Sequence, residues 1–134
     1  MMNSKARNGD VMIGKIYLFV TPYYDAAKRQ NDFKARPALI IGVPDLGDYN
    51  ILPVSKVTKK EYIDSVYDIP IDPKSYPLLN LKEFSYARTH KQTYSNYASI
   101  GKYLGDMQSD YPDLYLQVLE KLEEYNNNLI INAL

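Results

Sequence analysis

The sequence predicts a mainly β fold with a C-terminal helix: a mostly antiparallel sheet curled into a small barrel and closed by that helix. Two observations predict it. Short runs rich in aromatic and β-branched residues recur along the first hundred positions, each bounded by Pro, Gly, Asp or Ser. Helix signals, by contrast, gather in one place, after Gly105. With 134 residues, the chain is of single-domain length and can bury roughly two thirds of the surface its unfolded form exposes. We expect residues 1–8, "MMNSKARN", to form a flexible polar tail and residues 9–134 to form one domain.

The first strand is "KIYLFV", Lys15 to Val20, ended by Pro22. "YYDAAKRQNDFKA", Tyr23 to Ala35, is charged and weakly periodic, and reads as a long exposed loop of the kind that carries function. "ALIIGV", Ala38 to Val43, is a continuous apolar run between Pro37 and Pro44, the pattern of a strand buried on both faces. "DLGD" supplies turn chemistry, and "YNILPVS", Tyr49 to Ser55, returns as the second arm of a hairpin. "KKEYIDS" suits one or two helical turns. "VYDIPI" is a strand whose Pro70 suggests a sheet edge. "EFSYARTHKQTY", Glu83 to Tyr94, reads as extended, and "YASIGKYLG", Tyr97 to Gly105, as the last strand. Ser109 and Asp110 then offer caps, Pro112 a first-turn residue, and Tyr115, Val118, Leu119, Leu122 and Tyr125 an apolar face at helical spacing. The helix should stop near Asn126 to Asn128.

Composition excludes several classes. There is no cysteine, so disulfides and thiolate metal sites are absent, which is compatible with a reducing cytoplasm. The apolar run "VMIGKIYLFV" is interrupted by Gly14 and Lys15, too short for a membrane span, and lacks a cleavage site. A single histidine with no flanking carboxylate pair argues against a metal site, and we expect no cofactor. Asp64, Asp68 and Asp72 are four apart, but Pro70 bars a helix through all three and they read as solvated. Phosphate loops, triads and dinucleotide fingerprints do not occur.

Net charge is zero, against a uniformly basic nucleic-acid binder, yet its distribution is uneven. Residues 28–60 hold seven basic side chains against three acidic ones, and residues 106–124 hold six acids against Lys121 alone. One region could meet an anion and the other would repel it. Chance segregation of solvated faces is the alternative. Arg36 carries a fixed planar fork suited to two phosphate oxygens, with Pro37 holding it extended at a strand mouth. The residues alone leave open whether it grips phosphate or decorates a loop. Ser55, closing "LPVS", could donate to a phosphoryl oxygen or serve the turn. Arg88 and His90 alternate to one face if their stretch is extended, and histidine suits proton transfer near neutrality, although a lone histidine is commonly structural. The fourteen tyrosines could stack on bases or fill strands and core.

The order "GKIYLF", long loop, "ARPALII", a strand ending "LPVS", "SYARTHKQT" and "IGKYLG" resembles the MazF/PemK family of toxin endoribonucleases from about Gly14 to Tyr125. The resemblance implies an SH3-like barrel and metal-independent cleavage of single-stranded RNA, the 2′-hydroxyl attacking the adjacent phosphate. It also implies a homodimer with RNA crossing its interface and a cognate antitoxin whose disordered segment folds over that groove; we expect the protein to be cytoplasmic and off the membrane. On it, Arg36 is catalytic, Ser55 stands where the family has threonine or serine, and Arg88 and His90 fall near an arginine and an acid used in proton transfer, histidine replacing the acid. Lys28, Arg29, Lys34, Lys56 and Lys91 would contact RNA. The loop before Arg36 departs from the family's Gly-Ser-Glu type, implying a different sequence preference. Because related CcdB toxins grip a protein target, a non-catalytic binder is the alternative, as is a degenerate, inactive member.

Overall fold

Branched and aromatic residues run unbroken from Lys15, and the chain there forms β1 (Lys15–Asp25), which turns back at once into the long β2 (Gln30–Asp45). The computed structural model describes residues 12–45 and 47–134. The expected tail at residues 1–8, and Leu46 of the "DLGD" turn, lie outside them. β3 (Asp48–Ser55) follows Gly47, whose φ of +84° suits glycine. A 3₁₀ turn at Lys60–Tyr62 leads to β4 (Asp68–Ile71), and another at Pro77–Leu79 to β5 (Ser85–Arg88). β6 (Thr93–Asn96), a third 3₁₀ turn and β7 (Ile100–Asp106) precede α1 (Met107–Asp110) and α2 (Pro112–Ala133).

All pairings are antiparallel, in the order β4-β5-β3-β2-β1-β7, with β6 also on β3. Pro70 sits on edge strand β4, where its missing N–H costs no ladder bond. Register shifts between Ile40 and Gly42 and between Gly42 and Asp45 bend β2 over β3, and others bend β1 over β7, so the sheet curls into a half-barrel. From Ala38 to Ile40 β2 is buried on both faces, as its apolar run predicts. Leu39 packs with Ile16, Leu52, Met107 and Val118 on the side of α2, while Ala38 and Ile40 pack with Phe19 and Ile51 on the other. A slip of one residue would exchange these two apolar sets, so the fit of side-chain shapes, Ala38 against Leu39, holds the register around Arg36.

Three expectations need correction. Tyr23 to Ala35 is not a loop: β1 and β2 continue as a two-stranded ribbon, Tyr24 opposite Asn31 and Asp25 opposite Gln30. Only Ala26 to Arg29 turn, with Asp25 accepting the Ala27 and Lys28 N–H groups and Arg29 left-handed at φ +53°. The helix does not stop at the asparagines but runs to Ala133, because Asn126 Nδ2 donates to Gln92 and Asn128 Nδ2 to the Tyr67 hydroxyl, anchoring that segment on the barrel. Its caps also differ: neither Ser109 nor Asp110 caps α2, Asp106 caps the single turn α1, and α2 begins behind Tyr111 with Pro112 in its first turn as expected.

Gly105 lets β7 approach the Pro77–Leu79 turn. A β-carbon there would lie 2.5 Å from the Leu78 carbonyl oxygen and 2.8 Å from Leu79 Cα, and Asn80 Nδ2 clamps the same contact through the Leu104 carbonyl. Gly105→Ala should destabilise the protein by about 1–3 kcal/mol, read as a lower urea midpoint at unchanged m-value.

Candidate functional site

Arg36 and Pro37 stand where β2 leaves the ribbon and enters the barrel, between the ribbon pair Val20–Ala35 and the pair of partly buried Tyr17 with buried Ala38. β3 runs beside that point and ends at Ser55, and β5 pairs with its last two residues. This convergence forms an open cleft of about 1060 Å³ lined by Arg36, Pro37 and Ser55, by Leu18 and Ala35 of the ribbon base, and by Lys34, Lys56, Lys82 and Lys102. Arg36 is exposed and Ser55 partly buried. Among the described residues five cations and one carboxylate, Glu83, therefore line the cleft, and Glu83 Oε1 pairs with Lys56 Nζ at 3.1 Å. An anion entering this space loses little hydration, because the cleft is open, and meets fixed positive charge on several sides.

Of the expected site residues, the structure brings together Arg36, Ser55, Lys34 and Lys56. Lys34 also lies over the Tyr23 ring, 4.8 Å from its centroid. Lys28 and Arg29 sit at the ribbon tip, Lys28 paired with Asp32 at 3.3 Å, and neither lines the cleft. Arg88, His90 and Lys91 line a separate pocket of about 310 Å³ beside Glu61, Tyr62 and Asp64, which shares no residue with the first.

The expected common face of Arg88 and His90 is not an extended one, because Arg88 ends β5 and His90 lies in the following turn. What joins them is Asp68, and its solvated reading is corrected: the side chain is wholly buried. Arg88 Nε donates to Asp68 Oδ1 at 3.1 Å, and its Nη2 donates to the Tyr62 carbonyl at 2.8 Å. Asp68 Oδ2 also accepts from the Asp64 N–H. Asp64 caps the Val66 and Tyr67 N–H groups, and those bonds hold its carboxyl below the usual range. His90 Nδ1 is buried 3.7 Å from Asp68 Oδ1, with no hydrogen-bond partner among the described residues. Its ring lies against Tyr67 and Tyr125. The Arg88 fork is thus occupied by internal partners.

Burial lowers the pKa of His90, against the opposing pull of Asp68. A base whose folded pKa lies below its unfolded value adds stability that is complete above the unfolded value of about 6.5 and is lost as pH falls through the folded one. The melting temperature should therefore drop as pH is lowered below about 6.5, and His90→Gln should flatten that limb in a thermal titration.

Lys82, Glu83, Lys102 and Tyr103 line the cleft without having been expected there. Lys102 carried one usable signal, its place on an alternating strand. Nothing local marks Lys82 and Glu83, because they reach the cleft through the pairing of β5 with β3.

The half-barrel of antiparallel strands with its C-terminal helix is a MazF-like fold, shared with three solved structures. The chain is similar in structure to the Mycobacterium tuberculosis toxin MazF-mt6, at 14% sequence identity over 83% of this chain and 96% of that one, with a TM-score of 0.57. An endoribonuclease in complex with its cognate antitoxin, from a mycobacterial species, matches at 14% identity over 87% and 94% with a TM-score of 0.59. An Mtb toxin matches at 16% identity over 78% and 99% with a TM-score of 0.53. No protein-family model and no curated protein matches the sequence. At such identities the likeness establishes the fold. Among the described residues no helix is long and apolar enough to cross a membrane.

Proposed function

We propose that this protein is a metal-independent endoribonuclease toxin of a type II toxin–antitoxin pair, cutting single-stranded RNA by attack of a ribose 2′-hydroxyl on the adjacent phosphate. The observation that carries the reading is the meeting of Arg36 and Ser55 in one open, basic cleft, on a fold shared with an endoribonuclease. Arg36 would hold the phosphate oxygens as charge builds on them, and Ser55 would donate a further hydrogen bond. Lys34 and Lys56 would guide the strand into the cleft. The apolar side of the ribbon, with Val20, Tyr24 and Phe33 exposed, leads away from the cleft and is suited to bases splayed from the backbone. The partner would be an antitoxin, as in the endoribonuclease complex, and the working form a cytoplasmic homodimer.

The test is incubation of the purified protein with a long defined RNA in EDTA. The proposal expects cuts at a short recurring sequence that leave 2′,3′-cyclic phosphate and 5′-hydroxyl ends. RNA left whole over long incubation refutes it.

A further inference from the structure

Attack by a 2′-hydroxyl needs a group to take its proton, and that group must share the cleft with Arg36. His90, the natural choice from sequence, lies in the other pocket with Nδ1 buried against Asp68. Apart from Glu83, the cleft's ionisable side chains are Arg36, lysines and Tyr103, residue types that act as proton donors near neutrality. The Tyr103 phenol is pushed higher still by desolvation and then by Asp106. Glu83 is the one carboxylate lining the cleft among the described residues.

Two contacts place it, one on its backbone and one on its carboxylate. Ser85, itself buried, donates to the Glu83 carbonyl at 2.9 Å and fixes the backbone just before β5. Lys56, directly after Ser55, holds Oε1 at 3.1 Å, leaving Oε2 outside that ion pair and able to accept. The carboxylate is thus tethered beside the phosphate-gripping residues while its side chain stays half exposed to an incoming ribose.

We propose that Glu83 is the catalytic base, a role that rests on the endoribonuclease reading above. Its carboxylate takes the proton of the 2′-hydroxyl as the 2′-oxygen bonds to phosphorus. The bond from phosphorus to the 5′-oxygen breaks, and the departing oxygen takes a proton from a water of the open cleft. The hydroxide so formed recovers the proton from Glu83, so the enzyme returns to its starting state and water is regenerated.

The experiment compares wild type, Glu83→Gln, Glu83→Asp, His90→Gln and Arg36→Ala on one RNA, with melting temperature and the Kd for the 2′-deoxy analogue measured for each. Glu83→Gln should lower kcat by about 10²- to 10⁴-fold, abolish the acidic limb of the kcat pH profile, and bind the analogue at least as tightly, since a negative charge leaves the cleft. Glu83→Asp should restore part of the rate, and His90→Gln should retain both rate and acidic limb. If Glu83→Gln cuts at the wild-type rate while Arg36→Ala does not, Glu83 is not the base and the endoribonuclease reading stands. Loss of the acidic limb in His90→Gln alone also overturns the proposal. RNA left whole by the wild type overturns both together.

Discussion

Arg36→Ala should lower the rate of RNA cleavage by about 10²- to 10³-fold, the usual cost of removing one donor from a site where transition-state charge accumulates. The residue is exposed and lies before the buried Ala38 to Ile40 segment, so the melting temperature should stay within a degree or two of wild type. Arg36→Lys should recover only part of the rate, because an ammonium supplies charge without the planar fork that meets two oxygens at once. Single-turnover cleavage of a short RNA, followed beside a melting curve, checks both. Arg36→Ala at wild-type rate would remove this cleft from the mechanism.

The second large effect concerns stability. Asp68→Ala should destabilise the fold by about 3–5 kcal/mol, because it strands the Arg88 charge in a mostly buried setting and frees the Asp64 N–H. The loss falls on the joint between β4, β5 and the Lys60–Tyr62 turn, since Asp68 and the Tyr62 carbonyl share the Arg88 guanidinium. Replacing both charges, as in Asp68→Leu with Arg88→Met, should cost less than the single change, because no unpaired charge remains. Urea unfolding of wild type, single and double variants at pH 7.5 measures this. The double variant should also keep RNA cleavage if the pair serves the fold, and a large loss of rate at full folding would return Arg88 to the chemistry.

The barrel strands were legible because burial enforces their pattern. "ALIIGV" is apolar throughout since β2 is packed on both faces, and Pro70 marked an edge because only an edge tolerates the missing N–H. The ribbon was not legible for the opposite reason. Its residues face solvent on both sides, so no core selects a period of two, and its pairing rests on backbone hydrogen bonds that any sequence can make. The end of α2 was misjudged because Asn126 and Asn128 are weak helix formers whose side chains find partners on Gln92 and Tyr67, far away in sequence. At the candidate site, Arg36 stood out by its neighbours Pro37 and the strand behind it. The partition of Arg88 and His90 from Arg36 depends on Asp68, which the spacing of carboxylates alone left in solvent.

The ribbon has a thermodynamic consequence of its own. Beyond Phe19 β1 has lost β7, and before Ala38 β2 has not yet gained β3, so each strand there is held by the other alone. Opening that ladder exposes little apolar surface and breaks no contact of either core cluster, which makes it a unit of lower local stability than the barrel that carries it. The segment beside Arg36 can thus be reshaped by a ligand, or by a change in its length or sequence, at almost no cost to the folding of the remainder.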